Sequence, residues 1–422
     1  MGSSGGPTVG LDIGSKYMKA VELVPGRNGV TVKALAMAPT PPEVMDSGVI
    51  VDPKTLADAV KKMLKEAGIG TKRVVSSVAG QGALVVRVIE VPRMSLSELA
   101  EAMKWEVERH VPFAADEVIM DYQPVVREGD DENSENMEVL MAVAQQEMID
   151  RHVSMIFSAG LSPAAIDVEP LAAARCLIEL GPNPYAPKTV AIINIGAAST
   201  DIGIFRDGIL AFPRTLPIAG DTMTQAISQA MGVDAEQAEE LKRRYGEVVL
   251  SESAPQTTAQ VGEGFYDIGA EQPAPQPEGA GEVGFDLGGE STTAPVPAAS
   301  ADPNTQQVFM AIAPTLGELV AEFRRSIEYY LSRTQDGRVD EILLCGGTAG
   351  LRNLDAFLTA ELGIPTRVAD AFQYATVGAR NYSADHIREL SPSFVVATGL
   401  AARDMVQVPK PAKPTPAKRG KK

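Results

Sequence analysis

At 422 residues the chain exceeds what one hydrophobic core usually supports, and its 45% apolar content is ordinary for a globular protein, so two or more core-bearing lobes are expected. The formal net charge of -17 argues against nucleic acid as a partner, but Ser251 to Thr305 holds nine acidic residues without a Lys or Arg, whereas Val406 to Lys422 holds six basic residues without an acid. No window nears the roughly 20 apolar residues of a membrane span, and Met1 to Pro7 lacks the charged start and apolar run of a signal peptide. Cys176 and Cys345 have no second Cys or His at metal-ligand spacing and read as reduced core thiols. A cytoplasmic location follows, with any membrane role exercised through a partner.

Strand-like runs alternate with helical patterns, which predicts mixed α/β layers. Thr8 to Val24 reads as a strand, a tight Gly-Ser-Lys turn and a returning strand. A helix is predicted over about Pro53 to Ala67, with Leu56, Ala59, Val60, Met63 and Leu64 on one face and Gly68 ending it. Val74 to Val91 reads as two strands divided by Gly80 to Gly82. Ser95 and Glu98 form a capping box before a helix through Leu96, Leu99, Met103 and Val107, which Pro112 stops. Two strands, Ile119 to Val126 and Met137 to Ala144, flank an acidic tip, and the block over about 38–144 reads as an α+β subdomain inserted in a first lobe spanning 8–187.

A helix over Gln146 to Ala159 returns the chain to that lobe, and the second lobe, 188–405, opens on a buried strand, Thr189 to Ile195. Within it a nucleotide-closing subdomain is expected over about 222–338. Residues 251–305, rich in Pro, Gly, Ala, Ser and Glu, read as a disordered insertion, because they bury too little apolar surface to offset ordering entropy. Residues 406–422 read as a disordered basic tail.

The most informative feature is an internal echo. Val9 to Val21 can be laid on Ala191 to Gly203, pairing Asp12 with Asn194 and Gly14 with Gly196. Each copy is an apolar strand ending in Asp/Asn-Ile-Gly, a turn of small or hydroxyl residues, and a returning strand, so two duplicated lobes are expected to face each other. Glycine at the turn lets backbone N–H groups approach phosphate oxygens. Ser15, Ser199 and Thr200 supply hydroxyls beside Ala197, and Lys16 supplies positive charge. Asp12, at a strand end, can hold magnesium through water, since that ion sheds hydration reluctantly. A third piece, Leu343 to Leu351, is a strand followed by the glycine turn Gly346-Gly347-Thr348, whose open N–H groups can lie against a nucleotide.

The order Asp12-x-Gly14, Glu169-Pro170-x-Ala172-Ala173-Ala174, Asn194-x-Gly196, Gly346-Gly347-Thr348 resembles the actin, Hsp70 and sugar-kinase superfamily, with Ala397 to Ala401 similar to its second connecting segment. The resemblance implies an actin-like ATPase fold of ribonuclease H-like lobes, with ATP and Mg2+ as ligands. Ala238 to Lys242 looks like the helix that gives Glu and Lys, here Glu239 and Lys242, to adenine and ribose in the cell-division protein family FtsA. Arg87 to Pro92, Ser95 to Leu99, Glu106 to Phe113, Glu117-Val118 and Asp121-Tyr122 resemble the PilM family of type IV pilus assembly proteins, and the likeness runs from about Val9 to Arg403 outside 251–305.

That resemblance implies a cytoplasmic scaffold at the inner membrane that takes the short N-terminal peptide of PilN beside the inserted subdomain. Asn194 departs from the superfamily's Asp: the amide keeps size and hydrogen bonding and loses the charge that orders a metal and a water. Glu169 is the candidate to orient an attacking water. ATP binding is therefore expected ahead of turnover. An FtsA-like filament, with self-association, and a small-molecule kinase of the same fold stay open as alternatives.

Overall fold

The computed structural model describes residues 7–406 apart from 27–28, 47, 81, 128–133, 183–187, 251–301, 335–336 and 380–381. The chain opens with β1 (Thr8–Ile13), β2 (Tyr17–Gly26), β3 (Gly29–Pro39), the short pair β4 (Met45–Asp46) and β5 (Val49–Ile50), α1 (Pro53–Glu66) and β6 (Arg73–Val78). Asp52 caps α1 by accepting from the Lys54 and Thr55 amides, and Pro53 fits the first turn, where no N–H is needed. β7 (Leu84–Pro92), α2 (Leu96–His110), β8 (Val118–Val125) and β9 (Asn136–Gln145) follow, then α3 (Gln146–Ser158), β10 (Ser162–Val168) and α4 (Glu169–Ala174), which runs on as a π-helical turn, Arg175–Glu179.

The second lobe begins with β11 (Thr189–Ile195), β12 (Thr200–Arg206) and β13 (Ile209–Leu216), then α5 (Gly220–Met231), α6 (Ala235–Tyr245) and α7 (Pro303–Ser332). β14 (Glu341–Cys345), a 3-10 turn at Gly347–Gly350, α8 (Leu354–Leu362) and β15 (Thr366–Val368) complete its sheet. β16 (Ala375–Val377), α9 (Ala384–Leu390) and α10 (Val395–Ala401) close the chain.

Sheet order makes the duplication explicit. The first lobe reads β10-β6-β1-β2-β3-β16 and the second β15-β14-β11-β12-β13 in the same sense. In each, three antiparallel strands are followed outward by two parallel ones. The copies differ at one edge, where β16 returns from the second half to pair with β3.

Each lobe has its own core: Leu11, Leu56, Val60 and Met155 in the first, Ile193, Ile312, Phe323 and Leu344 in the second. A third core joins them, with Leu35 and Leu23 meeting Ile192, Phe205 and Leu343, and with both cysteines, free and buried, inside it. α4 and α10 cross at this junction through backbone. A Cβ on Gly399 would lie 1.7 Å from the Ala172 carbonyl oxygen, and one on Gly10 would lie 2.0 Å from that of Ala397. Arg175 and Arg403 converge on the buried carboxylate of Asp167 at 3.0 and 2.7 Å and pin the end of α10 to the first lobe.

Two boundaries differ from the sequence expectation. The separate sheet of the inserted subdomain is β7-β9-β8, with α2 packed on it through Leu99, Met103 and Val107. β3 and β6, expected partly or wholly within the block over 38–144, belong to the main sheet, because β6 pairs in parallel with β1. Helix α7 starts at Pro303, inside the segment expected to be disordered, since Asp302 caps it by accepting from the Asn304 amide. The rest of that insertion and the basic tail beyond 406 lie outside the described residues.

Candidate functional site

The two echoed hairpins fold alike and face each other across one cleft of about 800 Å³. In the first the Gly14 amide donates to the Tyr17 carbonyl at 3.1 Å, and in the second the Gly196 amide donates to the Ser199 carbonyl at 2.9 Å. Each turn is also held by a threonine hydroxyl. The Thr40 hydroxyl donates to the Gly14 carbonyl at 2.6 Å, and the Thr348 hydroxyl donates to the Gly196 carbonyl at 2.9 Å. Those contacts fix the turns with their small residues toward the cleft, a geometry suited to an anion.

The cleft gathers Asp12, Gly14, Ser15, Lys16, Glu169, Asn194, Gly196, Ala197, Ser199, Glu239, Lys242, Gly346, Gly347 and Thr348. Thr200 does not join them. It is fully buried, and its hydroxyl donates to the Ile218 carbonyl at 2.7 Å, because the register of β12 turns it toward the core. Gly346 has φ +89, and a Cβ there would meet the Ile195 carbonyl oxygen at 2.4 Å and Asn194 Oδ1 at 2.6 Å, so only glycine fits.

Glu239 and Lys242 line the cleft but are engaged with α5. The Lys242 ammonium reaches Glu239 at 2.8 Å, the Gly220 carbonyl at 2.8 Å and the Thr224 hydroxyl at 2.7 Å. Burial alone would raise Glu239, but the hydrogen bond and charge of Lys242 and the Thr224 hydroxyl outweigh it and hold the carboxyl below its ordinary value.

Strand pairing adds two residues that motif matching missed. Lys19 lies opposite Asp12 on β2 and binds its carboxylate at 2.5 Å. Asp201 lies opposite Asn194 on β12 and accepts from the Thr215 hydroxyl at 2.5 Å. Both sit seven residues after the echoed Asp/Asn, so the hairpin register carried the signal. Asn194 Nδ2 donates to Glu169 at 2.9 Å, which brings the first residue of α4 against the second hairpin.

Burial, then the charges of Asp201 and Asp12, push Glu169 well above the ordinary carboxylate range, against the pull of Lys19 and the Asn194 amide. Burial also raises Asp201 to about 6 despite the Thr215 hydrogen bond. The raised affinity of Glu169 for its proton makes it a weaker candidate to activate a water in the ligand-free cleft. Among the described residues no group of three or more His, Cys, Asp or Glu is arranged to hold a metal ion directly. Tyr382, His386, Pro392 and Ser393, from α9 and its flanks, also line the cleft, although no motif pointed to them.

Duplicated sheets, crossing connecting helices and paired turns around one cleft define the actin-like ATPase fold. A family model for the type IV pilus assembly protein PilM matches residues 10–252, and one for the cell division protein FtsA matches 191–399. The chain belongs to the PilM family of type IV pilus assembly proteins. A solved structure described as a PilM-PilN type IV pilus biogenesis complex superposes with a TM-score of 0.73 at 28% identity, covering 95% of this chain and 99% of that one. The ethanolamine utilization protein EutJ of Carboxydothermus hydrogenoformans shares the fold, at TM-score 0.50 and 14% identity over 94% of this chain and 89% of its own. FtsA of Pseudomonas aeruginosa is 27% identical over 270 residues, 57% of this chain and 61% of its own length. FtsA of Bacillus subtilis is 22% identical over 268 residues, 58% and 59% respectively. The chain thus spans about three fifths of the length of these curated relatives. Among the described residues no helix is long and apolar enough to cross a membrane.

Proposed function

We propose that this protein is an ATP-binding scaffold of the type IV pilus assembly machinery, recruited to the inner membrane by binding the N-terminal cytoplasmic peptide of a PilN-type partner. The observation that carries the nucleotide reading is the pair of hairpins, alike in backbone, that present Gly14, Ser15 and Lys16 against Gly196, Ala197 and Ser199 across one cleft. The match to the PilM-PilN complex over 95% of the chain supports the partner. ATP would lie with its phosphates between the hairpins and its adenosine against Gly346, Gly347 and α6. Magnesium would reach Asp12 through water and supply charge neutralisation at the phosphates.

Asn194 supports binding ahead of hydrolysis, because the second hairpin carries a neutral amide, already donating to Glu169, where the first carries a carboxylate that could order a water. The wall that continues from Asp12 at the carboxyl ends of β1 and β6 is Met37, Met45, Gly48, Ala79 and Gly80, which supports a scaffold over a kinase for a polar small molecule. The test is whether purified protein retains ATP and whether Asp12→Ala releases it. Absence of nucleotide from the unaltered protein, even after incubation with ATP and magnesium, would sink the reading. Titration of a PilN N-terminal peptide with and without ATP and magnesium tests the coupling between sites, and equal affinity would remove it.

A further inference from the structure

The hairpins share a backbone but not their tip side chains. The first carries Lys16 and Tyr17, and the echoed positions of the second carry Ala198 and Ser199. The two long side chains leave their own lobe. Lys16 Nζ lies 3.5 Å from Asp221 Oδ1 at the start of α5, and Arg243 Nη1 on α6 donates to the Tyr17 hydroxyl at 3.1 Å. All four residues line the cleft, so the two contacts span it from the first hairpin to α5 and α6.

α5 and α6 move with the second lobe. The Gly220 and Asp221 amides donate to the Gly196 and Ala197 carbonyls at 3.1 and 2.8 Å, and Lys242 ties α6 to α5. A pull on Asp221 or Arg243 is therefore a pull on the second hairpin as well. The Lys16–Asp221 pair is nearly half exposed on both sides and weak alone. Its ammonium is also the group that phosphate would compete for. The Tyr17–Arg243 bond is a second tie, in which a guanidinium N–H donates to a phenol oxygen.

From this geometry we infer that Tyr17 and Arg243 form a clasp that holds the cleft shut and governs nucleotide exchange, with Lys16 passing between Asp221 and phosphate as the site fills. The inference rests on the nucleotide reading for exchange, but not for closure. Opening requires the Tyr17–Arg243 bond to break, and a phosphate that draws Lys16 from Asp221 leaves that bond as the remaining polar tie from the first hairpin to α5 and α6 among those described.

The test uses the full chain with Tyr17→Phe, Arg243→Ala and both together. Stopped-flow release of a fluorescent ADP analogue should accelerate about three- to ten-fold in each single variant, and the combined variant should release no faster, because one bond is removed in all three. In nucleotide-free protein, spin labels on Asp58→Cys (α1) and Glu236→Cys (α6) should report a longer, broader distance in the variants. The native cysteines are buried and leave the labelling selective. Unchanged distances overturn the clasp, and changed distances with unchanged release overturn its role in exchange. Additive effects of the two substitutions overturn the single bond. If the unaltered protein binds no nucleotide, the functional reading fails while the label distances still decide closure.

Discussion

The first hairpin is a charged pair and the second is an amide beside an acid. Asp12 faces Lys19 across β1 and β2, and the two side chains meet within their own lobe. Asn194 faces Asp201 across β11 and β12 and spends its amide on Glu169 from the other lobe. The same backbone thus carries two side-chain patterns: a carboxyl paired with a lysine in one copy, and an amide opposite a carboxyl in the other.

The sharpest way to break that comparison is to remove the two equivalent side chains. Asp12→Ala should weaken ATP binding about 10- to 100-fold, the range for losing a group that orders a metal's water shell, whereas Asn194→Ala should cost only a few-fold. Calorimetric titration with ATP and magnesium measures both, and equal losses would mean that the hairpins are interchangeable.

Two buried groups, one per lobe, should respond to acid in opposite senses. Burial depresses His152 to about 4, and its Nε2 lies 2.9 Å from the Ser76 hydroxyl, itself committed to the Leu11 carbonyl. The unfolded chain takes up that proton first, so the contribution of His152 to stability falls as pH drops from 6.5 toward 4. Asp201 is raised from 3.8 to about 6, so the folded chain takes up its proton first and stability gains as pH drops through the same region. Urea unfolding at several pH values should show the unaltered protein gaining stability with rising pH relative to His152→Gln and losing it relative to Asp201→Asn, by at most about 3 kcal/mol each. Differences of the same sign would refute the assignment.

Asn194→Asp sharpens the contrast between the amide and the carboxyl. It replaces the donor to Glu169 with an acceptor among Asp12, Glu169 and Asp201, and should destabilise the ligand-free protein by about 2 kcal/mol at pH 8, less at pH 5. Unchanged unfolding midpoints would show that the amide is not needed there. The smallest effect is expected at the threonines that hold the turns. Thr40→Val removes the side-chain donor to the Gly14 carbonyl and should cost about 1 kcal/mol, while Thr348→Val should cost less, because the Gly196 carbonyl also accepts from the Gly220 amide at 3.1 Å. Denaturant midpoints of the two variants rank them.

Much of this was legible before any coordinates. The echo of Val9 to Val21 in Ala191 to Gly203 carried the duplicated lobes, and the Ser95–Glu98 box marked the start of α2, where the Ser95 amide does donate to Glu98 at 2.8 Å. Local patterns of this kind are written in neighbouring residues. Lys19 and Asp201 were within the echo, yet their role depends on which residues a hairpin sets opposite each other. Thr200 was misread because a hydroxyl at a turn looks alike whether its strand faces the cleft or the core. The pairing of β16 with β3 and the arrival of Tyr382 and His386 at the cleft depend on contacts hundreds of positions apart, which no local period encodes. The extent of the inserted subdomain was overdrawn for the same reason: β6 joins β1 through parallel pairing, which has no short-range signature.

The crossing of α4 and α10 has a mechanical consequence. Where Gly399 meets Ala172 there is no side chain between the helices to repack, stretch or slide over. Such a contact resists sliding of one helix along the other, because a shift would drive backbone atoms together. A small rotation at that point produces little displacement at the inter-lobe core and a growing one with distance. For such a rotation, the residues displaced most would be those farthest from the crossing.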